Sequence, residues 1–227
     1  INAGLTVAEA AVALIDSSVL QVTDPDAGDT LTYTIVSGPA NGLLTPAASF
    51  TQADIDASAV SYTHDGSETL SDSFSFSVSD GNGGTVGTTT FNLTITPTND
   101  APELGLTSLL PGPMNQPYEV NFTPSDADTG DQLTVLVVDD AGWLSTLVAE
   151  NDGSWTLSGT PTPAEVGTNS IVLRVEDDGN PTLSHQVTLN LTVTGFPSVP
   201  TLGPRGMLLL LVLLGMAAYY ILRVRKS

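Results

Sequence analysis

The sequence predicts an all-β protein: two tandem β-sandwiches followed by a single C-terminal transmembrane helix. Three observations carry this. Apolar residues alternate with Ser or Thr at period two, most clearly in Phe74-Ser75-Phe76-Ser77-Val78 and Leu31-Thr32-Tyr33-Thr34-Ile35, the pattern of half-buried strands. Segments of the first half recur about 100 residues later. Near the C-terminus, Met207 to Leu222 contains no charged residue.

In chain order, Leu5, Val7 and the run Ala11 to Ile15 form short strand-like pieces around Glu9. Val22 to Asp29 is an acidic turn rich in Asp, Pro and Gly, residues that each favour turn geometry. Leu31–Ile35 is a strand, Gly38 to Gly42 a turn ending in an Asn-Gly pair, and Phe50 to Ile55 a short helical turn capped by Thr51. Val60 to His64 is another strand. Phe74–Val78, the turn Asp80 to Gly84 and Phe91–Ile95 then read as a hairpin.

Thr96-Pro97-Thr98-Asn99-Asp100-Ala101-Pro102 closes this half. Its prolines impose extended backbone on themselves and on the residues before them. Beyond it, Ser125 to Thr134 repeats Thr23 to Thr32, Val175 to Asn180 repeats Val78 to Asn82, and Leu189 to Thr194 repeats Phe91 to Thr96. Trp143-Leu144 and Ser154 to Pro161 supply two more strands. Each half thus has about seven strands in about 100 residues, the size of an immunoglobulin-like sandwich. The expected boundaries are 1–97 and 98–195 for the two sandwiches, 196–206 for a proline-rich spacer, 207–222 for the membrane helix and 223–227 for a basic tail. Sixteen helical residues span about 24 Å, slightly less than the ~30 Å hydrocarbon core. Arg223, Arg225 and Lys226 mark the cytoplasmic side and place both sandwiches outside.

Charge narrows the function classes. Residues 1–204 hold all 25 acids against Arg174 alone, hence a formal −24. Such a field repels nucleic acid and attracts cations, so no nucleic-acid partner is expected. There is no cysteine to form a disulfide, and the single lysine, Lys226, lies in the tail, which excludes Lys–Asn cross-links from the folded part. Stability must come from cores, or from cores plus metal. The chain begins at Ile1 without a signal peptide and is read as a mature form or a fragment of something longer.

Resemblances now have residues to rest on. Through Val22–Asp26, Leu31–Thr34, Pro39–Gly42, Phe50–Asp56, Val60–Glu68 and Asp72–Phe76, the first half resembles the proteoglycan-type cadherin-like repeat of large bacterial surface proteins. Through Trp143-Leu144, Leu157–Thr162 and Val175–Ser184, the second half resembles the dystroglycan-type cadherin-like, or Ig-like, domain. Val199, Pro200, Thr201 and Leu202, with Gly206-Met207 and the basic-ended helix, resemble an IPTL-type C-terminal sorting signal. That resemblance implies a Gram-negative surface protein handled by an exosortase-like enzyme.

The cadherin-like resemblance implies calcium between modules. Carried over residue by residue, the ligands would be Glu9, Asn99, Asp100, Asp126, Asp128 and Asp177 or Asp178. No Asp-Arg-Glu occurs mid-module, and His64 to Glu68 is the stretch that could stand in for it. Elementary chemistry agrees, because a hard divalent cation takes six to eight oxygens and converging carboxylates repel without one. The alternative is that these residues only make Asx turns. Asp24, Asp26 and Asp80 would be the equivalent acids at the far end of the first module. His64 and His185 read as surface or turn residues, and Trp143 and Trp155 as core, with a sugar-binding aromatic patch around Trp143 as the other reading. No catalytic constellation is present, so no enzyme is expected. The function implied is a membrane-anchored, calcium-stiffened extracellular stalk at the end of a larger surface protein. The alternatives are an adhesin domain for a glycan or cell-surface protein, or spacer modules of a hydrolase encoded upstream.

Overall fold

In the computed structural model, residues 1–26 and 28–195 are described; the proposed spacer, the sorting motif Val199–Leu202, the apolar helix 207–222 and the tail lie outside them. Among the described residues no helix is long and apolar enough to cross a membrane.

The first half contains β1 (Leu5–Ala8), β2 (Val12–Leu14), β3 (Thr32–Ser37), β4 (Gly42–Thr45), β5 (Ser49–Thr51), α1 (Gln52–Asp56), β6 (Ser61–His64), β7 (Ser71–Ser79) and β8 (Thr85–Thr96). Strands β1-β8-β7-β3-β5 form one sheet and β2-β6-β4 the other. The alternation seen in sequence sets the faces. Phe74, Phe76 and Val78 point inward from β7 while every second residue is a serine on the outer face, as the two-residue period of a strand requires. Tyr33, Phe50, Phe74, Phe76 and Phe91 from one sheet meet Leu44 and Tyr62 from the other in a single core, with Phe74 stacked on Phe91 at 5.1 Å. Helix α1 forms where expected: Thr51 accepts from the Asp54 backbone N–H and Asp54 reaches back to the Thr51 N–H, a reciprocal cap.

The turn expected at Gly38 to Gly42 joins strands of different sheets. Asn41-Gly42 carries the chain from β3 in one sheet to β4 in the other. Gly42 is needed there for space: a Cβ would collide with the Thr63 carbonyl oxygen and lie 2.7 Å from the Tyr62 ring.

The second half contains β9 (Gly112–Pro113), β10 (Tyr118–Phe122), β11 (Thr134–Asp139), β12 (Leu144–Ala149), β13 (Trp155–Gly159), a 3-10 turn (Pro163–Glu165), β14 (Gly167–Glu176) and β15 (Ser184–Thr194). Sheets β11-β14-β15-β9 and β10-β13-β12 enclose Leu157, Ile171, Leu173, Val175, Leu189 and Leu191. Both halves use one device: an early strand joins the last strand in parallel, β1 on β8 and β9 on β15, among otherwise antiparallel pairs. In the first module this last strand, β8, ends at Thr96 beside β1 and so delivers the chain to the joint.

Candidate metal centre

The joint is assembled from three places. From the first module come Glu9, just after β1, and Glu68, between β6 and β7; from the linker come Asn99 and Asp100; from the second module come Asp126, Asp128, Asp131, Asp177 and Asp178. Carboxylates hold the linker's backbone donors. Thr98 N–H donates to Glu9 Oε2 at 3.2 Å and Asp100 N–H to Asp128 Oδ2 at 2.7 Å, so one acid from each module grips the segment between them. Beyond it, Glu103 and Ser125 exchange both backbone hydrogen bonds.

Two groups of acids result. Glu9, Glu68 and Asp100 can each place one carboxylate oxygen within 4.8 Å of the others. The Glu68 carboxyl is pushed up to about 6, first by partial loss of water and then by the Glu9, Asp128 and Asp100 carboxylates. Asp131 is likewise pushed up, first by desolvation and then by Asp128, Asp178, Asp126 and Asp177. Asp128 belongs to both surroundings and links them.

These side chains suit a hard cation better than they suit one another. Glu9 is only 5% exposed, and Glu9 Oε1, Asp126 Oδ2 and Asp131 Oδ2 are buried without a hydrogen-bond partner. A buried, unpartnered carboxylate oxygen is costly unless a proton or a cation meets it. Among the described residues the one lysine or arginine is Arg174, which sits on β14 and pairs with Glu176 at 2.9 Å. Oxygen-only ligands from carboxylates at a site of this charge fit Ca²⁺.

The expected residues do not all play the same part. Asp177 is saturated, its Oδ1 accepting from Gly179 N–H and Leu183 N–H and its Oδ2 from the Asn99 amide at 3.1 Å. Asn99 also donates to the Pro181 carbonyl at 3.0 Å and packs so tightly that a Cβ on Gly179 would collide with its amide oxygen. Asn99 and Asp177 therefore tie linker to module directly, in the Asx-turn manner. Asp178 accepts from Gln132 N–H at 2.7 Å and stands beside Asp131. The sequence reasoning left out Asp131 and gave Glu68 only as part of a substitute stretch. Asp131 was visible as the repeat partner of Asp29, 102 positions earlier.

At the far end of the first module, Asp24, Asp26 and Asp29 can bring carboxylate oxygens within 4.8 Å of one another. Asp80 is occupied otherwise, accepting from Asn82 N–H and Gly84 N–H inside the β7–β8 turn. The histidines also separate. His185 is exposed on β15, whereas His64 is 3% exposed, which corrects the surface or turn role expected for it. Its Nδ1 accepts from Ala10 and Gly66 N–H, and Nε2 lies 3.0 Å from Thr69 Oγ1. His64 shares strand parity with buried Tyr62, and that parity was the available signal. Trp143 is core, as expected, at 7% exposure and edge-on to Tyr118.

Comparisons with known proteins agree with this architecture. Residues 1–95 match the family model described as cadherin-like, and residues 99–192 match that of a bacterial Ig domain, the Ig side of the expectation for the second half. FRAS1-related extracellular matrix protein 1 of Homo sapiens is 38% identical over 87 residues, covering 35% of this chain and 4% of that protein. Extracellular matrix organizing protein FRAS1 of Homo sapiens is 40% identical over 109 residues, covering 44% of this chain and 3% of that one. The chain thus spans a small fraction of these relatives' length. Among solved structures, protocadherin gamma B2 extracellular cadherin domains 1–5 align with 85% of this chain and 38% of that chain, at 17% identity and a TM-score of 0.50, a likeness of fold. The chain thus holds two β-sandwich modules, the first similar to cadherin-like domains and the second to bacterial Ig domains.

Proposed function

We propose that the two modules form a calcium-stiffened stalk of an extracellular surface protein, without catalytic activity of their own. The observation that carries this is the trio of buried, unpartnered carboxylate oxygens on Glu9, Asp126 and Asp131, set among further acids with no lysine or arginine among the described residues to answer them. Glu9, Glu68 and Asp100 would hold calcium on one side, and Asp126, Asp128 and Asp131 on the other. Calcium would supply positive charge that cancels the carboxylates and bridges their oxygens; the chain supplies orientation, through the grip of Glu9 and Asp128 on the linker and the Asn99–Asp177 tie. The mechanical consequence is a fixed angle between modules.

The relatives whose names place them in extracellular matrix support an extracellular setting. The apolar run 207–222 with its basic end supports anchoring in a membrane, and Val199–Leu202 supports handling by an exosortase-like enzyme at a bacterial surface. Extracellular calcium modules bind in the range of roughly 10⁻⁴–10⁻³ M. The test is melting and small-angle scattering of the full chain in detergent, with calcium and with EDTA. Calcium should raise the melting temperature and sharpen the scattering of an extended pair; identical curves in both conditions would refute the proposal.

A further inference from the structure

The second module holds a cavity separate from the linker. Its volume is about 370 Å³, and it lies where β10 ends, where residues 131–133 lead into β11, and where β12 turns into β13. That is within the roughly 300–1,000 Å³ range of small-molecule sites. One part of its lining is Trp155, which is half-buried although Leu157, two residues along the same strand, is fully buried. The polar part of the lining comes from Thr123, Asp131, Gln132 and Glu150.

From this combination we infer that the cavity binds a neutral sugar residue, with Trp155 as its stacking platform. An indole offers a broad apolar face that the C–H side of a pyranose ring covers well, while hydroxyls at the ring edge need both donors and acceptors. Glu150 accepts, while Asp131 borders the cavity but is committed to the joint; the Thr123 hydroxyl and the Gln132 amide can donate as well as accept. A wholly apolar ligand would leave the Thr123 hydroxyl and the second Glu150 oxygen without a partner, Glu150 Oε1 being held by Thr156, and an anion would meet two carboxylates. A cation would have no use for the donors of Gln132 and Thr123. Gln132 is exposed, its backbone N–H is held by Asp178 at 2.7 Å, and its side-chain amide makes only a long 3.4 Å bond to the Gly130 carbonyl, which a ligand can replace while the backbone bond keeps the loop in place.

The experiment is a calorimetric titration of the full 227-residue chain, in calcium and in a polyoxyethylene detergent whose headgroup carries no sugar. The probes are the methyl glycosides of mannose, galactose, glucose, fucose and N-acetylglucosamine. At least one should saturate, with affinity reduced about tenfold or more by Trp155→Ala and retained by Trp155→Tyr. Gln132→Ala, which leaves the backbone bond intact, should weaken it several-fold and serves if Trp155→Ala does not fold. The inference is overturned if no glycoside saturates up to tens of millimolar, or if binding is indifferent to both substitutions. It is equally overturned if tetramethylammonium binds with the same Trp155 dependence and the glycosides do not. Asp131 borders both sites, so the titration is repeated in EDTA; Trp155 and Gln132 are not proposed calcium ligands, so their effect on glycoside binding and the effect of EDTA on melting can each fail alone.

Discussion

Glu68 is the residue whose own chemistry reports on the joint. In the folded chain its carboxyl is raised from 4.5 to about 6, by loss of water and by Glu9, Asp128 and Asp100. Between those values the folded state holds more proton than the unfolded state. Stability from this group therefore falls as pH rises through the window and is flat above it. In EDTA the melting temperature should climb as pH is lowered from about 7 to about 5, and Glu68→Gln should flatten the climb. Calcium should flatten it too, by answering the same carboxylates. A wild-type profile in EDTA that is level, or that falls toward acid pH, would show that the acids do not crowd one another. Glu68 was legible only as part of a stretch, because nothing local marks it. Its neighbours Glu9 and Asp100 lie 59 and 32 positions away in the chain.

At the scale of elements, period-two alternation was enough to locate β3, β7 and β8, and Thr51 as cap was enough to locate α1, while β4, β5, β9, β10 and β11 carried no such signal. Sheet membership was not legible. Asn41-Gly42 reads as a turn, yet the strands it joins lie in different sheets, because pairing partners are chosen by which faces must meet in the core. Gly42→Ala should lower stability by about 1–3 kcal/mol, since a Cβ there presses on the Thr63 backbone and the Tyr62 ring. Gly87→Ala, on the exposed start of β8 with open space around it, should change stability little or raise it by about 0.5 kcal/mol. Urea unfolding of the two variants checks both; equal effects would remove the steric reading of Gly42. The same limit applied to His64, whose strand position was evident while its burial against Thr69 and the Ala10 backbone was not.

For the whole molecule, the joint makes the two modules depend on one ion supply. Calcium at about 100 times its dissociation constant should stabilise the chain by about 2.7 kcal/mol for a single site. Glu9→Gln in the first module and Asp126→Asn in the second should each remove most of that gain, although neither touches the other module's core. If either substitution left the calcium-induced rise in melting temperature intact, the ions would not be shared across the joint.

The sequence by itself determined strands β3, β7 and β8, the repeat of about 100 residues, the acidic excess and the position of the linker. All of these are written in local pattern or in composition. The oxygen-bearing side chains of Glu9, Asn99, Asp100, Asp126, Asp128 and Asp177 or Asp178 were also readable as a set, through the resemblance. Only the tertiary structure decided what each one does. It brought Glu68 and Asp131 into the group, gave Asp177 and Asn99 to one another, and left three oxygens buried and unanswered. The reason is physical: a hydrogen-bond partner or a like charge is set by distance in space, and residues 9, 68, 100 and 131 become neighbours only after both sandwiches have closed around their cores.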